Sequence, residues 1–241
     1  MEKIVEMVNN WPFLRQLPQE LHGFKLELEL AVDGPLYRIF SYENIKARRK
    51  FAVVYNQVTK DFMGRVIVGL TEYYDENYIV ANLAGLERML TAKLSETLRQ
   101  LAYFDKSQLS GIFLATKVLD WPYGRQLPPQ IGNFSLFISP QQPLKIINGS
   151  YIIIDYSDFN TESSLMILYN IFRDEFFGEL RIRRTPHMTN LFDAKTIHEL
   201  EGKIRVHLVE QLQKVAREAQ ALPRIDRGTG ISGHGGALRS A

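Results

Sequence analysis

The residues with the widest chemical repertoire are five histidines, His22, His187, His198, His207 and His234, and the acids Asp61, Asp75-Glu76 and Asp174-Glu175. Histidine ligates metals and moves protons near neutral pH, and two carboxylates converging on one cleft can serve as general acid and base. The spacings favour neither role. His198 and His207 are nine residues apart on one predicted helix, which at about 3.6 residues per turn sends them to opposite faces. Asp61 and Glu175 stand just before Phe-Met-Gly and Phe-Phe-Gly, where an acid in a turn between strands is the simpler account. The absence of cysteine rules out disulfides, thiolate metal sites and cysteine nucleophiles. Gly228-Thr-Gly230-Ile-Ser-Gly233 has the spacing of a dinucleotide-binding loop, but a predicted helix precedes it where a strand is required, and no acidic residue follows it. No Gly-x-Ser-x-Gly elbow or Gly-x-x-x-x-Gly-Lys loop occurs. The sequence therefore predicts no catalytic residue, no metal and no cofactor.

Cationic clusters are the next source of chemistry. Arg48-Arg49-Lys50 and Arg181-Ile-Arg183-Arg184 could neutralise phosphates, and on a strand Arg181 and Arg183 would share one face fit to hold a nucleic-acid strand. A charged sheet edge that resists pairing with another sheet explains the second cluster as well. Arg15 and Arg125 sit in a motif, Trp-Pro-x-x-Arg-Gln-Leu-Pro, that occurs twice, at 11–18 and 121–128. Their planar forks could grip a carboxylate or phosphate of a ligand or partner, while Trp11 and Trp121 would serve as core plugs.

The recurrence of that motif sets the frame in which all these residues must sit. Phe24 and Leu26 match Phe134 and Leu136 at the same offset of 110 residues; from Tyr37 onward the offset becomes 114, matching Tyr42 to Tyr156, Tyr55-Asn56 to Tyr169-Asn170, Gly64 to Gly178 and Leu94 to Leu208. This predicts an internal duplication of an α-β-β-β-β-α unit: a first repeat over 1–106, a second over 107–221, and a glycine-rich flexible tail over 222–241. Helices are expected at 3–9 and 109–119, each stopped by Trp-Pro. Strands are expected at 24–32, 36–45, 51–58 and 64–70, then at 134–139, 150–158, 165–172 and 178–184. Leu83, Leu86, Leu90, Leu94, Leu98 and Leu101 recur at steps of three and four, as do Ile197, Leu200, Ile204, Leu208, Leu212 and Val215, so a long amphipathic helix closes each unit. Phe51, Val53 and Tyr55 alternate with Ala52 and Val54, so each sheet is apolar on both faces. The expected fold is α+β, with two antiparallel sheets, each covered on one face by its long C-terminal helix and on the other by the sister sheet or another chain, about a pseudo-twofold axis.

The 241 residues, 45% apolar and 23% charged, suit a globular chain with a full core. A net charge of +2 from 29 basic and 27 acidic residues does not call for a polyanionic partner. Met-Glu-Lys-Ile-Val-Glu has no secretory pattern, and no run reaches the roughly 18 apolar residues of a membrane span, so a cytoplasmic protein is expected. These features point to a non-enzymatic protein-protein interaction module, an adaptor, scaffold or structural subunit of a larger assembly, with a protein partner or homo-oligomer. The alternatives are nucleic-acid binding through the second basic cluster and an enzyme with its site in the groove between repeats.

Overall fold

A computed structural model of the chain describes residues 1–146 and 149–222. The Gly228–Gly233 motif, His234 and all of the expected tail except Leu222 lie outside them. The described chain is α+β, built on two antiparallel sheets.

The first sheet runs in sequence order β1 (Glu20–Leu21), β2 (Phe24–Asp33), β3 (Leu36–Asn44), β4 (Arg49–Asn56), β5 (Asp61–Val68) and β6 (Thr71–Val80), preceded by helix α1 (Glu2–Asn9) and followed by α2 (Leu83–Ala102). A broken segment with the short helix α3 (Gly111–Ala115) leads to the second set: β7 (Gln130–Ile131), β8 (Phe134–Ile138), β9 (Leu144–Lys145), β10 (Ser150–Asp158), β11 (Ser163–Asn170), β12 (Glu175–Ile182) and β13 (Thr185–Ala194). These pair in the order β13-β12-β11-β10-β8-β7, with β9 also on β10, and α4 (Ile197–Ala221) closes the element list.

The long helices lie where the leucine stripes put them. Leu86, Leu90, Leu94, Leu98 and Leu101 are buried against Tyr37, Phe51, Val53 and Tyr78, and Leu200, Ile204, Leu208, Leu212 and Val215 against Tyr151, Ile153, Leu165 and Phe192. Each helix is started by a side-chain cap: Asn82 accepts from the Gly85 amide and Thr196 from the Glu199 amide. The Trp-Pro turns are tied to these helices by an indole N–H donating to a carboxylate, Trp11 to Glu87 at 2.6 Å and Trp121 to Glu201 at 2.9 Å. That bond holds Glu201 below the usual carboxylate range. Across each sheet a tyrosine hydroxyl donates to the proline carbonyl of the same turn, Tyr42 to Pro18 and Tyr156 to Pro128, both at 2.6 Å. Burial pushes both hydroxyls up, Tyr42 to about 12.

Three expectations are corrected. Each sheet has a fifth long strand, β6 or β13, in place of the four predicted. Both are edge strands with a single partner; their outward residues need not be apolar, so Thr-Glu-Tyr-Tyr-Asp-Glu-Asn and Thr-Pro-His-Met-Thr-Asn do not alternate. The helix expected at 109–119 is broken into two short segments, Gly111–Ala115 and Val118–Asp120, because Lys117 adopts φ +60° and the Thr116 hydroxyl folds back on the Phe113 carbonyl at 2.6 Å. The strand expected at 178–184 ends at Ile182, since Arg183 and Arg184 form a tight turn with φ +46° and +70°.

Gly64 and Gly178 stand where an aromatic of the neighbouring strand crosses the sheet. A Cβ at Gly64 would lie 2.8 Å from Tyr78 and 2.9 Å from Phe51, and one at Gly178 would lie 2.7 Å from Phe192. Gly64→Ala and Gly178→Ala should therefore each lower unfolding free energy by about 1–3 kcal/mol through overpacking. Urea denaturation checks this; a neutral effect at either position would contradict the close aromatic crossing.

Candidate functional site

The two sheets meet end to face. By strand alternation the side of the second sheet away from α4 carries Ile152, Met166, Leu168 and Phe177, with Ile138 from β8. The hairpin end between β5 and β6 is seated on this face. The Arg181 guanidinium donates to the Leu70 carbonyl, and the Thr71 hydroxyl lies 3.4 Å from the Met166 sulfur. Gly69, at φ +61°, lets the Phe137 ring come so close that a Cβ there would be 2.5 Å from it. Alongside, the Arg48 guanidinium stacks 4.0 Å above the Phe159 ring.

The first sheet does not offer the same face. Glu29 pairs with Arg38 at 3.4 Å and with Lys50 at 3.1 Å, Lys50 also reaches Glu43 at 3.6 Å, and Arg65 pairs with Glu72. Beneath these long side chains Ser41, Ala52, Val54 and Met63 are buried. The expectation that the sister sheet covers this face is thus replaced by a surface network of ion pairs.

Asp155 is fully buried on the junction face of the second sheet, where the first sheet has Ser41. The Ser157 hydroxyl donates to its Oδ1 at 2.7 Å, and Oδ2 has no partner among the described residues. Burial raises its pKa to about 6, the opposing pull of Ser157 and Arg181 being weaker.

A groove of about 540 Å³ opens beside this junction, walled by β6 and the C-terminal half of α2 on one side, the 103–109 connection, and the 136–145 stretch of the second set on the other. Arg49, Tyr73 and Lys145 line it together with Leu101, Phe137 and Leu144. A second hollow, between β13 and α4, is lined by His187, Met188, Gln211 and Lys214.

The sequence-predicted site residues are dispersed. Arg15 is exposed on the first Trp-Pro turn, and Arg125 pairs with Asp120 at 3.6 Å on an open surface. Of the basic clusters, Arg48 stacks on Phe159 and Lys50 joins Glu29 and Glu43 on the outer face. Arg49 caps the last turn of α2 by donating to the Leu101 carbonyl, and Arg183 does the same for α4 by donating to Ala219 at 2.9 Å. Arg181 holds the junction and Arg184 pairs with Glu162 at 2.9 Å. Arg181 and Arg183 therefore share no strand face, and the six cations form no continuous stripe. Among the histidines, His22 contacts the Ser95 hydroxyl at 3.0 Å and His207 lies edge-on to Phe192. The acids Asp61 and Glu175 begin β5 and β12 rather than lying in the turns before them, and Glu175 pairs with Lys195 at 3.2 Å. Asp174 accepts from the Tyr169 hydroxyl at 2.6 Å, and Asp75 from the Asn77 amide at 2.9 Å. Among the described residues no three His, Cys, Asp or Glu side chains are grouped to hold a metal, and no helix is long and apolar enough to cross a membrane. No family model, curated protein or solved structure matches the chain.

Asp155 generates a pH test. Its folded pKa is raised above the ordinary 3.8, so the folded chain holds the proton more tightly than the unfolded one. The contribution of this group to stability is then greatest below pH 4, falls as pH rises to about 6, and is level above. The full difference is on the order of 3 kcal/mol at neutral pH. Asp155→Asn should raise stability at pH 7.5 by about 1–3 kcal/mol and flatten the profile between pH 4 and 6. Urea unfolding across that range decides it, and equal slopes in the two proteins would remove the assignment.

Proposed function

We propose that the chain is a non-enzymatic interaction subunit built by duplication of one structural unit, and that it displays two matching apolar tips to a protein partner or to further copies of itself. What supports the duplication is a set of contacts made twice at the sequence offsets: Trp11–Glu87 with Trp121–Glu201, Tyr42–Pro18 with Tyr156–Pro128, the caps Asn82 and Thr196, and the crowded glycines Gly64 and Gly178. The boundaries near residues 106 and 221 suit this division.

A twofold relation between the units finds less support than a one-way one. A twofold would repeat every junction contact with the roles exchanged, pairing Arg184 with Ile67 and Thr185 with Ala52. Arg184 is instead bound to Glu162, and the face bearing Ala52 lies under the ion pairs of Glu29, Arg38 and Lys50.

The observation that carries the interaction role is the pair Val58 and Phe172. They sit at corresponding tips between the third and fourth long strands of their units, 77% and 78% exposed. Each is held by the same device: the Asn56 side chain accepts from the Val58 amide at 2.8 Å, and Asn170 from the Phe172 amide at 2.9 Å. The Phe172 ring rests against Gly149 at one edge only, and the repeated placement of an exposed apolar side chain at the apex fits contact with another molecule. A photo-crosslinking residue at position 58 or 172 should give discrete protein adducts in cells, and one at exposed Glu76 should not. Val58→Ser with Phe172→Ser should remove any concentration-dependent mass increase seen by light scattering without lowering stability. A strictly monomeric mass together with no discrete adduct from either tip would rule the proposal out.

A further inference from the structure

The groove beside the junction sets a partly buried cation next to an apolar stretch within a mixed lining, and its walls come from both sides of the junction. Arg49 lines it from β4. One guanidinium nitrogen of Arg49 is used on the Leu101 carbonyl, while its Nε is buried without a partner and no carboxylate lies within ion-pair distance of it among the described residues. Burial pulls Arg49 below the usual guanidinium range, the direction expected of a cation short of a counter-charge. Tyr73, also in the lining, is close enough to interact electrostatically with Arg49 and is raised chiefly by burial. Of the acids in the lining, Glu96 and Asp105 bind Arg99, and Asp75 accepts from Asn77 while also lying within electrostatic reach of Tyr73. Two exposed lysines join Arg49 in the lining, Lys145 and Lys93, the latter donating to Asn77 at 2.6 Å. The remaining wall is mixed: Leu101, Leu109, Leu136, Phe137 and Leu144 supply an apolar stretch among polar side chains such as Thr97, Gln100 and Gln142.

From this juxtaposition we infer that the groove binds an amphipathic carboxylate, its head on Arg49 with the Tyr73 hydroxyl as second donor, and its apolar body along Phe137 and the surrounding leucines. A planar guanidinium fork matches a carboxylate. The volume, about 540 Å³, falls in the range of roughly 300–1,000 Å³ that takes a small organic ligand. Such a ligand would lie against both units and strengthen their docking, which goes beyond display of the two tips and does not depend on it.

Isothermal titration calorimetry of the full chain with decanoate, kept below its micelle concentration, tests this, with 1-decanol as the uncharged analogue. Saturable binding of one decanoate per chain is expected, with decanol at least tenfold weaker. Arg49→Met should weaken decanoate at least tenfold while bringing it level with decanol. Because Arg49 also caps α2, a second variant, Ala92→Trp, fills the groove from an exposed helix position and should abolish binding of both probes with the unfolding midpoint unchanged. Absence of saturable heat, equal affinity for decanoate and decanol, or undiminished decanoate binding by Ala92→Trp would each overturn the inference, whatever the outcome for Val58 and Phe172.

Discussion

A sheet with apolar side chains on both faces has to be covered twice, and in this chain that requirement falls on the second sheet. Helix α4 covers one face. The other, with Ile152, Met166 and Leu168, is too apolar to be left in water; at roughly 25 cal/mol per Å² even part of its area outweighs the ordering of one hairpin end. The hairpin between β5 and β6 supplies the cover. Its fit depends on Gly69, whose positive φ and missing side chain admit the Phe137 ring, and on Arg181, which satisfies the Leu70 carbonyl that docking would otherwise strand. The groove and the buried position of Asp155 follow from the same docking.

The first sheet meets an equivalent requirement differently. Its outer face spans buried Ala52, Val54 and Met63 with Arg38, Lys50 and Arg65, whose partly covered heads pair with Glu29 and Glu72. These pairs are partly covered, with the Glu29 side chain 11% and the Arg65 side chain 15% exposed. The hairpin end between β5 and β6 is thus docked on the second sheet, while the corresponding face of the first sheet carries ion pairs instead.

Much of this was legible in the sequence, and the reasons differ by element. The helices α2 and α4 show because one buried face forces leucines into a 3.6-residue rhythm, and the central strands because both their faces are buried. Edge strands β6 and β13 do not show, since a single neighbour and one wet face leave few buried positions, Thr71 and Tyr78 on one and Phe192 and Ala194 on the other. The basic clusters suggested a nucleic-acid surface because a sequence does not reveal that Arg49 and Arg183 end at the last carbonyls of two helices. The groove was expected only as a gap between repeats. Its one chemical signal, the lone buried Nε of Arg49, depends on the distance between β4 and the 136–145 stretch, which no local pattern encodes.

The positions where the two units differ complete the physical account. Helix stripes, Trp-Pro turns and crossing glycines correspond, whereas the pairs Ser41 and Asp155, Ile67 and Arg181, and Gly69 and Arg183 do not. All of these fall on the outer face or at the hairpin end that docks. A framework held by helix burial tolerates change at such places, because the helix-facing core does not depend on them. Asp155 is the clearest instance. A carboxyl raised to about 6 by burial opposes folding at neutral pH, yet it lies on the face that the first unit must cover. Its cost is kept down by Ser157 and by the field of Arg181, the same arginine that binds Leu70. The docking arginine thus serves both sides of the junction, and loss of its charge would unsettle the buried acid and the seated hairpin together.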